Sequence, residues 1–143
     1  MSPEEAIKSL TLAQTDIVAL IASRIYPDGS VPQKTTRPFS TFYVPDSKSE
    51  GDLSGGSDIC RETITLSFYA ETRLQAKTLA EYSSRVTPNG LANYKGTVVS
   101  GADSLDVMGI FVAKKESKVI DMEDGSDSRL FCESTDFMLV YEK

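Results

Sequence analysis

The chain has 143 residues, enough for one domain with one modest core. Hydrophobic residues at 40% and charged residues at 25% argue against disorder, and a net charge of -6 argues against a protein that binds by neutralising phosphates. Histidine is absent, which removes the commonest general base and the commonest metal ligand.

The N-terminus, MSPEEAIKSL, has no basic segment followed by an apolar one, and nowhere do about 18 apolar residues run together. No secretion signal and no membrane partner is expected. Ser2-Pro3-Glu4-Glu5 predicts a helix start: Ser2 can cap, Pro3 suits the first position, and Glu5 closes a capping box. Ile7, Leu10, Ile17, Val18 and Ile21 then recur at helical spacing. Thr11 and the Thr15-Asp16 pair divide the run into two helices, the second capped by that pair.

From Ala22 to Pro38 the chain is punctuated by Pro27-Asp28-Gly29, Pro32 and Pro38, so a connector is expected with a short extended piece at Arg24-Ile25-Tyr26. Phe39 to Val44 is aromatic and β-branched and predicts a strand closed by Pro45. Asp46 to Asp58 has Leu53 as its one apolar residue and is expected to be a long flexible loop. In Arg61 to Tyr69, Thr63, Thr65 and Ser67 alternate with Ile64, Leu66 and Phe68, which predicts a strand with a buried face and a wetter one.

Thr72-x-x-Gln75 is a second capping box. It opens a helix from about Arg73 to Val86 that buries Ala76, Leu79, Ala80, Ser83 and Val86 and ends at Pro88-Asn89-Gly90. Leu79 is expected to meet Ile64, helix against sheet. The remainder reads as β-segments: Gly96 to Ser100, Val107 to Lys114, Lys118 to Asp121 continuing it, and Leu130 to Tyr141 after an Asp124-Gly125 hairpin turn. The whole is one α+β domain over residues 1–143, with helices packed on one face of a mixed or antiparallel β-sheet.

Catalytic and ligand-binding signatures are missing. The sequence has no Gly-x-Ser-x-Gly, no Gly-x-x-x-x-Gly-Lys, no Gly-x-Gly-x-x-Gly and no Cys-x-x-Cys. Gly55-Gly56-Ser57 reads as linker, because no Lys follows it. Asp121, Glu123, Asp124 and Asp127 lack the spacing of a calcium loop and read as a solvated acidic hairpin. Cys60 and Cys132 each sit inside a predicted strand and read as buried, reduced thiols. No catalytic residue, cofactor or metal is expected.

The order of elements carries a family resemblance. The stretch from Ile17 to Pro38, entering Phe39, reads IVALIASRIYPDGSVPQKTTRPF: a helix ending in an apolar run, then Arg24-Ile25-Tyr26-Pro27, Pro32-Gln33, and Arg37-Pro38-Phe39 leading to Tyr43. A Gly/Ser loop, a strand ending Phe68-Tyr69-Ala70, and a capped helix with Gln75-Ala76 and Leu79-Ala80 follow. This order, clearest over residues 17–87, resembles the tail-completion, or tail-terminator, proteins that join tail to head in long-tailed phages. Each motif also has a plain structural reading, as a helix exit with buried Ile and Tyr or as proline-stiffened loops.

The resemblance implies a structural virion protein rather than an enzyme. It would form a hexameric ring at the head-proximal end of the tail, assembled in the cytoplasm of a bacterial host. The implied partners are the tail tube protein and a neck or head-closure protein, while genome DNA passes without specific binding. Glu50, Asp52, Leu53, Gly55 and Gly56 of the long loop are then candidates for ordering against a neighbour, and Glu123, Asp124 and Asp127 for lining a passage that repels phosphate. Alternatives are another neck component, such as a head-closure or connector protein, and a small cytosolic enzyme. The hairpin from Lys114 to Arg129, long and acidic, has no counterpart in the resemblance.

Overall fold

A computed structural model describes residues 1–33, 35–44, 59–121 and 129–142. The expected loop at 46–58 and the Asp124-Gly125 turn fall outside these residues.

The first helix, α1 (Pro3–Leu12), begins as its capping box dictates. The Glu5 amide donates to Ser2 Oγ at 3.2 Å, and the Ser2 amide donates to Glu5 Oε2 at 3.1 Å. Ala6, Ile7, Leu10 and Thr11 form its buried stripe, and the Thr11 hydroxyl is satisfied by donating to the Ile7 carbonyl at 2.8 Å. Helix α2 (Thr15–Ile21) follows, but Thr15 is its first residue and not its cap. Gln14 holds the cap position with no side-chain bond, and α2 buries Ile17 and Ile21.

Strand β1 (Ile25–Pro27) lies parallel to β2 (Phe39–Tyr43), which pairs antiparallel with β3 (Ile59–Ala70). Arg24 explains why the motif before β1 is compact. Its Nε donates to the Pro38 carbonyl at 3.0 Å and its Nη2 to the Leu20 carbonyl at 3.0 Å, so one side chain ties the end of α2 to the start of β2. Helix α3 (Arg73–Ser84) is capped by Thr72, whose hydroxyl accepts from the Gln75 amide at 3.2 Å. It stops two residues short of Val86, which is 58% exposed instead of buried.

Strands β4 (Gly96–Ser100), β5 (Asp103–Asp121) and β6 (Arg129–Glu142) complete a sheet of order β1-β2-β3-β6-β5-β4. It is mixed, because β1 and β2 run parallel while the other neighbouring strands of the sheet are antiparallel. The two predicted segments, Val107 to Lys114 and Lys118 to Asp121, are one continuous strand in β5. Lys115, Glu116 and Ser117 have weak strand propensity, yet continuous pairing with β6 carries them, with bulges between Val107 and Gly109 and between Val112 and Lys114.

About half of the chain is strand, so the molecule is dominated by its curled sheet more than the helices-on-sheet expectation suggests. One core cluster joins Ile7 and Leu10 of α1, Ile17 and Ile21 of α2, Leu79 of α3, Ile64, Leu66 and Phe68 of β3, Ile110 of β5, and Phe137 and Leu139 of β6. By strand alternation these sheet residues share one face, the face that α1 and α3 cover.

Candidate assembly surfaces

The sheet's other face carries a polar ladder where the alternating pattern predicts open, wet side chains. Thr65 and Ser67 are only 5% and 4% exposed. Thr65 Oγ1 donates to Asp136 Oδ1 at 2.6 Å, and the hydroxyls of Ser67 and Ser134 meet at 2.8 Å. Cys132 Sγ lies 3.6 Å from the same Ser134 hydroxyl. The expected wet face is therefore paired along the middle of β3 and β6, where Thr65 is satisfied by Asp136 and Ser67 by Ser134. At its edge Phe39 and Tyr69 stack, with ring centroids 4.9 Å apart.

Two tyrosines on this strand pair are held neutral. Burial, reinforced by the neighbouring Cys132, pushes the Tyr69 phenol up to about 12 from the ordinary 10. Burial and the nearby Glu62 carboxylate push Tyr141 up to about 12 as well. The Tyr141 hydroxyl donates to Glu62 Oε2 at 3.3 Å. Burial raises the Glu62 carboxyl above its ordinary value, partly offset by that hydrogen bond.

Both phenols have raised folded values, so they leave stability unchanged below about pH 10 and remove it as pH climbs from 10 towards 12. In a spectrophotometric titration, two of the six tyrosines should ionise late in native protein and at the ordinary pH in denaturant. Six coincident native titrations would contradict this reading.

Both cysteines are buried and neither is in a disulfide. Cys60 faces Tyr141 and Cys132 faces Tyr69, at opposite ends of the β3–β6 pairing, so the fold keeps them apart. Among the described residues no group of three or more His, Cys, Asp or Glu side chains could hold a metal ion. An open polar depression of about 330 Å³ lies between α1 and the β4–β5 turn, bordered by Glu5, Lys8, Ser9, Ser100 and Asp103. Glu5 is already engaged in its capping box. No described helix is long and apolar enough to cross a membrane.

The sequence-predicted contact residues Glu50, Asp52, Leu53, Gly55, Gly56, Glu123, Asp124 and Asp127 lie outside the described residues. The shank of the last hairpin is described, and it differs in character from the acidic residues at its tip. Lys114, Lys115 and Lys118 are exposed on β5, with Glu116 between them, and Phe111, Val112, Val119 and Ile120 are exposed beside them. Net charge concealed this short basic run in an acidic chain. The signal was the Lys-Lys-Glu-Ser-Lys sequence within a β-segment, and its position at a sheet edge required the strand order.

No protein-family model and no curated relative matches the sequence. In fold the chain is similar to one in the structure of the virion of a native gene transfer agent particle. The TM-score is 0.69, over 99% of this chain and 96% of that chain, at 15% identity. At that identity the likeness is one of fold, and it spans essentially the whole of both chains.

Proposed function

We propose that this protein is a structural subunit of a phage-like virion, a tail terminator that closes the head-proximal end of the tail tube as a ring and presents a surface to the neck. The observation that carries the proposal is the end-to-end fold likeness to a chain of a gene transfer agent virion. The motif order over residues 17–87 narrows that reading to the tail-completion family. Arg24 gives the order a physical basis, since it locks α2 to the entrance of β2 through two backbone carbonyls.

In this role the tube and neck proteins are the partners and DNA is a passenger. A net charge of -6 per subunit favours a ring that repels phosphate overall, with retention supplied by protein contacts. Glu123, Asp124 and Asp127 are the proposed passage residues, and Glu50, Asp52, Leu53, Gly55 and Gly56 the proposed contact residues of the loop.

The test is to omit the protein from particle assembly and examine the products by negative-stain electron microscopy. Tail tubes of uncontrolled length, unattached to filled heads, are the expected result; tubes of normal length on unfilled or leaking heads would identify a head-closure role instead. Normal particles would refute both. In parallel, purified protein should bind duplex DNA more weakly than the roughly 10⁻⁴–10⁻⁶ M of nonspecific DNA-binding proteins at physiological salt. Tight, salt-sensitive binding would overturn the passive passage and assign the lysines of β5 to DNA.

A further inference from the structure

Strand β5 is the longest described strand, and for much of its length it has a partner on one side only. Strand β4 pairs with Asp103 to Val107, whereas β6 pairs with β5 from Asp106 to Asp121. The Ile110 carbonyl accepts from the Asn93 amide at 2.8 Å. Beyond it, residues 111–120 are all exposed and no described strand lies along their outer side. Such an edge is a template for strand addition.

Charge decides what fits it. Across β6, Glu116 stands opposite Ser134 and Lys118 opposite Cys132, so neither charge meets its complement in its own strand pair. A twofold antiparallel pair of β5 edges must place one residue opposite its own copy. Centred on Lys114, Lys115 or Lys118, the pair sets lysine against lysine. Centred on Glu116, it sets glutamate against glutamate and Lys114 against Lys118 twice. Among these five positions, Ser117 alone avoids every like-charge pair.

With Ser117 at the centre, Glu116 faces Lys118 twice, Lys115 faces Val119, and Lys114 faces Ile120. The lysine stems then cover apolar side chains that are 44% and 39% exposed in the monomer. The stretch from Lys114 to Ile120 lies wholly beyond the bulge at Val112/Lys114, in unbroken register with β6, so its alternation is regular.

We propose that residues 114–120 of β5 form a self-complementary edge that takes a second copy of this chain, antiparallel and twofold about Ser117, joining two sheets into one. This contact is isologous. A ring is built from head-to-tail contacts between two different surfaces, so the pair is separate from the proposed ring interface and does not rest on the virion reading.

The experiment is sedimentation velocity on the full chain over a concentration series, which should show monomers exchanging with dimers. Lys118→Glu and Glu116→Lys each place like charges opposite one another twice and should weaken dimerisation roughly tenfold. The combined swap restores opposite charges and should return the dimer close to wild type. Ser117→Cys should give a disulfide-linked dimer under mild oxidation, because directly opposed residues of an antiparallel pair lie within disulfide reach. All four variants alter exposed side chains, and circular dichroism should show them folded. A chain that stays monomeric, a double swap no better than the single changes, or larger assemblies indifferent to both charges would each overturn the proposal.

Discussion

Phe137→Ala should cost about 3–5 kcal/mol of folding stability, among the largest losses expected from a single truncation in this chain. Phe137 is fully buried and sits opposite Ile64 on β3 and Val112 on β5, near the middle of the sheet. It shares one core cluster with Leu79 of α3. Removing the ring deletes contacts to the flanking strands and to the helix layer at once, and strands paired on both sides have little freedom to close the void.

Domains of this size are stable by about 5–15 kcal/mol, so the variant would lose roughly a fifth or more of its margin. Leu79→Ala and Ile64→Ala should each cost about 2–5 kcal/mol by the same mechanism. Phe111→Ala, at a ring that is 45% exposed, should cost less, about 1–2 kcal/mol. The chain has no tryptophan, so urea unfolding followed by far-ultraviolet circular dichroism is the suitable measurement. An unchanged midpoint for Phe137→Ala would show that the sheet register places this residue wrongly.

The contrast between Phe137 and Phe111 also shows where sequence reasoning reaches and where it stops. Local chemistry was legible: the capping box at Ser2, the cap at Thr72, the alternation through Ile64, Leu66 and Phe68, and the strand from Gly96 to Ser100 all occur as read. Each depends on residues within a few positions of one another. The relation of β1 to β2 was not legible, because parallel pairing across residues 28–38 leaves no local signature. Nor was the paired state of Thr65 and Ser67, whose partners Asp136 and Ser134 lie about seventy positions away.

The same limit governed the assembly surfaces. A polar loop and an acidic turn stand out in composition, at residues 46–58 and at Glu123, Asp124 and Asp127. The β5 edge is a consequence of strand order: Lys114 to Ile120 would read as an ordinary amphipathic segment if β4 ran the full length of β5. Because β4 reaches along β5 only from Asp103 to Val107, those residues are left bare.

A comparable dependence on distant geometry makes Gly90 the most sensitive glycine among those described. A Cβ built there would lie 2.3 Å from the Arg85 carbonyl oxygen, 2.7 Å from the Arg85 nitrogen and 2.7 Å from the Tyr82 carbonyl oxygen. All three are backbone atoms at the end of α3, so no side-chain rotation can relieve the overlap. The turn is also fixed on its far side, where the Leu91 amide donates to the Ser83 carbonyl at 2.9 Å and the buried Leu91 side chain enters the core.

Gly90→Ala should therefore destabilise by about 2–3 kcal/mol, near the upper end of what overpacking costs, by pushing Leu91 outward or unwinding the last turn of α3. Gly29 supplies the control. A Cβ there meets nothing within 4 Å, but φ is +83°, so Gly29→Ala should cost about 1 kcal/mol from backbone conformation alone. The two losses can be separated by amide hydrogen exchange. Gly90→Ala should speed exchange in α3 and at Leu91, whereas Gly29→Ala should leave α3 at wild-type protection. Equal protection of α3 in both variants would mean that the 85–91 turn accommodates a methyl group and that its closeness to the helix end is not a constraint.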